Sequence, residues 1–142
     1  MLEKSNYLAQ IVQTIPIEVY NELRSSAGRS KKSQEAVSIG LNNSICNIII
    51  TEKVTQKIVG MARLVGDGGT FCAIVNICVL APHKNKGVEQ LLMKEMMEYI
   101  NNNIPKTCFV VLIASPELKS FYEKFGFTSD TIQNKTGMFF KK

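Results

Sequence analysis

The chain's strongest constraint is a single unbroken passage, residues 74–99. A run of apolar, β-type residues at 74–79 enters a short polar loop at 83–87, and the loop enters an amphipathic segment. The first pattern is that of a buried strand and the last that of a helix with one apolar face. A strand and a helix joined so closely must pack on each other, which restricts the chain to layered α/β architectures. The junction also has a chemistry. The first N–H groups of a helix are unpaired, point outward and carry the positive end of the helix dipole. His83, Lys84 and Lys86 add side-chain donors, and Gly87 lets backbone come close to a ligand. Such a junction suits a phosphate or a pyrophosphate.

The remaining elements are legible at lower resolution. Residues 7–14 read as a first strand. Pro16 then opens a helix that aligns Ile17, Tyr20 and Leu23. The Ser-, Gly- and Lys-rich stretch 25–33 breaks it, and Ser33 caps a second helix over 34–42. Strands follow at 44–51, 58–65 and 70–80, with a Gly-rich hairpin at 66–69. A main helix spans 86–102, with Leu91, Leu92, Met96, Tyr99 and Ile100 at helical spacing. The entirely apolar run 108–114 predicts a buried strand. Pro116 starts a helix to Lys124 with Gly126 as its C-cap, and 137–140 is the last strand. The reading is α/β: one domain over 1–142, with a mixed, mostly antiparallel central sheet flanked by helices on both faces.

Two short motifs resemble those of a known family. Val79-Leu-Ala-Pro-His-Lys-Asn-Lys-Gly87-Val-Glu89 is similar to the acetyl-CoA loop of the GCN5-related N-acetyltransferases (GNAT). Phe121-Tyr122-Glu-Lys-Phe-Gly126-Phe127 is similar to that family's Tyr and Gly-Phe element. The two occur in the family's order, with one helix and one strand between them. The resemblance implies a sheet splayed after its fourth strand, and acetyl transfer from acetyl-CoA to a primary amine directly in a ternary complex, without a metal. It implies a bulge on the fourth strand whose free backbone holds the pantetheine and polarises the thioester carbonyl. Ile77, Cys78 and Val79 match those positions. The pyrophosphate loop maps onto Lys84, Asn85, Lys86, Gly87, Val88, Glu89 and Gln90. Ser115 matches a CoA contact after the fifth strand, with a helix N-cap as its simpler reading. Tyr122 matches the phenol that protonates the departing thiolate, with aromatic packing as the alternative.

Two departures stand out. Glu89 occupies a position that is usually Gly or Ala, and places a carboxylate beside the pyrophosphate. Lys84 replaces a Gln or Arg, which keeps charge but loses the planar fork. Ala73 stands where some relatives carry a carboxylate, so the general base is open among Glu18, Tyr20 and a water chain; Asn76, nearby, cannot act as one. The loop 25–33 falls where the family builds its substrate lid. There Arg29, Lys31 and Lys32 are candidate contacts for an acidic acceptor or for CoA phosphates, and a solvated loop is the plain alternative.

Composition adds bounds. A net charge of +5 suits an anionic ligand. The charge is scattered and no recognition-helix or RNA-binding aromatic motif accompanies it, so nucleic acid is disfavoured as a partner. No membrane-length apolar run and no signal-like N-terminus are seen, and a cytoplasmic protein is the expectation. Cys46, Cys72, Cys78 and Cys108 lack metal-type spacing and read as free thiols in apolar runs. The acceptor, a small molecule or a peptide, is unspecified, and a homodimer stays open. Two alternatives remain: a non-catalytic CoA-binding domain, motivated by Glu89, and a basic nucleic-acid-binding module, motivated by charge alone.

Overall fold

A computed structural model describes residues 6–129 and 137–142. Five strands form one sheet in sequence order: β1 (Tyr7–Val12), β2 (Cys46–Glu52), β3 (Ile58–Gly66), β4 (Phe71–Val79) and β5 (Phe109–Val111). The first three pairings are antiparallel and the β4–β5 pairing is parallel. The helices are α1 (Ile17–Ser26), α2 (Gln34–Asn42), α3 (Val88–Asn103) and α4 (Lys119–Glu123), with 3-10 turns at Ala81–His83 and Pro116–Leu118.

Side-chain alternation assigns the two faces of the sheet. A Cβ added at Gly60 would meet Val88 and Leu92 of α3, so that face of β3 lies under α3. Arg63, of opposite parity, donates to Gly40 O and Ser44 Oγ at the end of α2, so the other face lies under α1 and α2. β2 and β3 are buried nearly throughout because helices cover both faces. Val88, Leu92, Met93, Met96 and Ile100 form the stripe that α3 buries. Ser33 caps α2 by accepting from Ala36 N–H at 3.1 Å.

The mixed, mostly antiparallel α/β architecture is as expected, and five of the expected strands are present. Two expectations at the C-terminal end are corrected. The run 108–114 pairs over only Phe109–Val111, and Phe109 is 52% exposed. Phe109 pairs with Phe71 and Val111 with Ala73, after which β5 leaves β4. An apolar run becomes a buried strand only where neighbours cover it, and β5 has one ladder partner among the described residues. Residues 137–140 are irregular rather than a strand. Met138, Phe139 and Phe140 are exposed and, among the described residues, have no strand beside them. Part of the segment leading to them, 130–136, lies outside the described residues.

The four thiols are free, as expected. Cys72 and Cys108 bring β4 and the approach to β5 together, with their sulfurs 3.6 Å apart. Burial pushes the Cys46 thiol up to about 11.

Candidate functional site

The site is built on β4. Between Met61/Cys78 and Arg63/Val75 the β3–β4 register shifts: two steps on β3 face three on β4. The extra residue is a bulge at Asn76–Ile77. Asn76 sits in left-handed backbone with φ 56°, a conformation that Asn tolerates and β-branched residues avoid. Its side chain is fixed by two donors. Arg63 Nη1 donates to Asn76 Oδ1 at 2.7 Å, and the Tyr20 hydroxyl donates to the same oxygen at 3.2 Å. All three residues are buried. A buried amide oxygen with two donors, one charged, stabilises the bulge by roughly 1–3 kcal/mol.

The bulge coincides with the splay. β4 pairs with β5 only over Phe71–Ala73, so beyond Ala73 the β5-facing edge of β4 has no ladder partner among the described residues. Ile77, Cys78 and Val79 lie on that stretch. Cys78 pairs with Met61, which shares the face of Arg63, so its side chain turns toward α1 and α2. Burial raises the Cys78 thiol, against the lowering effect of Arg29, Arg24 and Lys84.

The strand leads through the turn at Ala81–His83 to α3. Asn85 and Gly87 both adopt left-handed backbone, with φ 62° and 86°. Gly87 is the N-cap of α3, and no side chain caps the helix. The first N–H groups of α3 are therefore available to an anion. A Cβ at Gly87 would meet nothing within 4 Å, so glycine is required there by backbone conformation and not by crowding. Lys84, Asn85, Lys86 and Gln90 are exposed, Val88 is buried as the anchor, and Glu89 is half-buried. His83 also has a protein partner. Its Nδ1 lies 2.8 Å from the Tyr7 hydroxyl, and the rings meet edge to face at 5.7 Å. It ties the loop to β1.

Tyr122 lies on α4, is buried, and packs edge to face on Phe121 at 5.1 Å. It shares with Ser115 an open groove of about 460 Å³, which Val110, Leu112, Lys119 and Phe127 also line. None of the loop residues 84–90 lines that groove. The link between the two halves of the site is electrostatic. Burial raises the Tyr122 phenol above its ordinary value; Arg29 opposes this, while Cys78 and Glu89 reinforce it. Ser115 precedes the turn at Pro116–Leu118 without a side-chain capping bond, so its hydroxyl is not consumed by the helix start.

Residues 30–140 match the family model described as an acetyltransferase (GNAT) domain. The chain belongs to the GNAT acetyltransferase family. A Staphylococcus aureus protein of unknown function, described as a "Probable Acetyltransferase", shares 34% identity with this GNAT chain. The likeness covers 95% of this chain and all of that one, with a TM-score of 0.83. An uncharacterized N-acetyltransferase, ycf52, of Pyropia yezoensis is 29% identical over 77% of this chain. The match spans 63% of that relative's length. A GNAT family acetyltransferase from Elizabethkingia anophelis, solved with acetyl-CoA bound, shares the fold at 19% identity and a TM-score of 0.63, over 87% of this chain and 76% of that one. The family and the names of its members support acetyl transfer as the general chemistry. Among the described residues no group of three or more His, Cys, Asp or Glu could hold a metal ion, and no helix is long and apolar enough to cross a membrane.

Asn76 is the site residue that sequence reasoning undervalued. It is the lone polar residue in the run 74–79, and of a type at ease in left-handed backbone. That combination is the available signal for a bulge.

Proposed function

We propose that this protein moves an acetyl group from acetyl-CoA to a primary amine, directly, within a ternary complex. The observation that carries the reading is the coincidence of the Asn76–Ile77 bulge with the end of β4–β5 pairing. It exposes strand backbone that runs straight to an uncapped helix start. On this reading the free backbone of Ile77, Cys78 and Val79 aligns the pantetheine arm, and an N–H there polarises the thioester carbonyl. Asn85 to Gln90 hold the pyrophosphate by backbone N–H groups, Lys84 and Lys86 add charge, and Ser115 contacts the far side of the arm.

The chemistry then needs little more. The amine nitrogen attacks the thioester carbon, a C–N bond forms and the C–S bond breaks. The nitrogen releases a proton, and the sulfur takes one from Tyr122. A phenol with a pKa near 10, raised further by burial, stays protonated at neutral pH and can donate to a thiolate. Calorimetric titration with acetyl-CoA, followed by a thiol-release assay over a panel of amines, tests the reading. Heat of binding and amine-dependent thiol release are expected. No heat at millimolar acetyl-CoA would remove it.

Glu89 favours a second reading, a domain that binds CoA weakly and turns over poorly. Glu89 is half-buried in the first turn of α3, and its charge adds to the raising of the Tyr122 phenol. Binding without thiol release for any amine would select that reading.

A further inference from the structure

α1 and the turn after it carry two guanidinium groups that the acetyl-transfer reading leaves without a task. Arg24 is 8% exposed. Its Nε donates to Ser30 O at 2.9 Å, and its guanidinium lies 6.0 Å from the Tyr20 ring centroid. Its two terminal nitrogens have no protein acceptor among the described residues. No carboxylate pairs with it there either, the one ion pair joining Lys57 to Glu22. Those nitrogens are not sealed off: among the described residues Asn47 Oδ1 alone is a fully buried side-chain polar atom without a partner, so an anion can reach them from solvent.

Arg63, buried on the same face, shows what compensation looks like. Its three nitrogens donate to Ser44 Oγ, Asn76 Oδ1 and Gly40 O. Arg63 is consumed by the bulge. Arg24 keeps most of its donors free.

Arg29 is set beside Arg24 by the way α1 ends. Gly28 has φ 75° and donates to Ser25 O at 3.0 Å, while Arg29 N–H donates to Arg24 O at 2.9 Å. These are the paired bonds of a Schellman turn. The same end of α1 is fastened to the end of β4, because Ala81 N–H donates to Ser26 Oγ at 3.1 Å. Both arginines therefore belong to the end of α1 that abuts the end of β4. Their charges are felt at Cys78, and that of Arg29 at Tyr122.

We propose that Arg24 and Arg29 form a carboxylate site for the acceptor, so that the substrate is a small amine carrying a carboxylate near its nitrogen, such as a free amino acid. The proposal rests on the acetyl-transfer reading. A guanidinium pair matches a carboxylate in shape and charge. A cation close to the amine also favours its neutral, nucleophilic form, so less is asked of a general base. Lys84, whose charge is also felt at Cys78, belongs to the pyrophosphate loop and is assigned to the co-substrate.

The test compares matched amines, each amino acid against its decarboxylated counterpart, at saturating acetyl-CoA with the full chain. The carboxylated partner of at least one pair should show kcat/KM higher by about tenfold or more, the scale of one charge-assisted hydrogen bond. Arg29→Met, an exposed position, should raise KM for that substrate by about tenfold and erase the preference, with acetyl-CoA affinity unchanged by calorimetry. Arg24→Lys keeps charge without the fork and should do the same more weakly, with melting confirming that it folds. Equal kcat/KM within every pair would overturn the proposal. So would an Arg29→Met variant that loses acetyl-CoA affinity and keeps the preference, since the cations would then serve the phosphates. Acetyl-CoA binding with turnover of decarboxylated amines alone overturns the carboxylate site but not acetyl transfer. No acetyl-CoA heat at all removes both.

Discussion

The protein contains the same motif twice, a strand, a proline-containing 3-10 turn and a helix, and the two copies are built differently. The first runs from β4 through Ala81–His83 into the 16-residue α3; the second runs from the three-residue β5 through Pro116–Leu118 into the five-residue α4. The first is anchored by a fully buried stripe on α3. The second exposes Phe109, Ile113 and Leu118. On the proposed reading they also differ in what each offers a ligand. The first presents backbone, whose position is set by the fold and tolerates many side chains. The second presents one buried side chain, Tyr122, held by aromatic contacts with Phe121. Substitutions in the first unit should therefore change affinity, and in the second, turnover.

The largest effect expected is on turnover. Tyr122→Phe removes the hydroxyl and leaves the ring, so kcat should fall about 10²–10⁴-fold with acetyl-CoA affinity and melting temperature nearly unchanged. Equal turnover would erase the distinction between the two units. The same residue predicts a pH dependence. Its phenol is raised above 10 in the folded chain, so it remains an acid through pH 7–9 and the loss of donor capacity falls above pH 10. The linkage has the same sign: stability from the neutral buried phenol is complete below the unfolded pKa and declines as pH rises through the folded one. An alkaline limb that Tyr122→Phe leaves in place belongs to another group.

Gly87→Val should come next. Its φ of 86° is hostile to a β-branched residue, and the helix start would shift. Acetyl-CoA affinity should fall by about 100-fold, roughly 2.7 kcal/mol, with the core intact by melting. Unchanged affinity would show that the α3 start does not hold the phosphates. Asn76→Ala strips Arg63 and Tyr20 of a shared acceptor, and should cost about 1–3 kcal/mol in urea unfolding together with some affinity. An unfolding midpoint like that of the parent would remove Asn76 as the bulge's anchor. The smallest effect expected is that of Glu89→Gln, which should tighten acetyl-CoA by less than about tenfold, more at low salt where repulsion is less screened. Weaker binding would mean that the carboxylate serves the helix start more than it opposes the phosphates.

The first unit was legible in the sequence and the second only partly, for a physical reason. Strand β4 and helix α3 each carry their own pattern, an apolar run and a 3.6-residue stripe, and Ser33 marks the start of α2 at the right residue. The bulge was not read from pattern, because its single cue, Asn76, is also what a polar intrusion in any strand looks like. The extent of β5 was overestimated because apolarity reports a tendency to be covered, not the presence of a cover. Strand pairing between residues 38 positions apart, such as Phe71 and Phe109, leaves no local trace. Loop 84–90 was placed by its motif. The contact of His83 with Tyr7 could not be, since it joins residues 76 apart.

The most direct test of the central claim is amide hydrogen exchange with and without saturating acetyl-CoA. The account predicts slowed exchange at Ile77, Cys78 and Val79 and over residues 85–90, because these N–H groups take the ligand as their partner. Little change is expected over 137–142. Exchange unchanged along both the β4 edge and the α3 start, in a sample where calorimetry shows acetyl-CoA bound, would contradict it and place the ligand elsewhere.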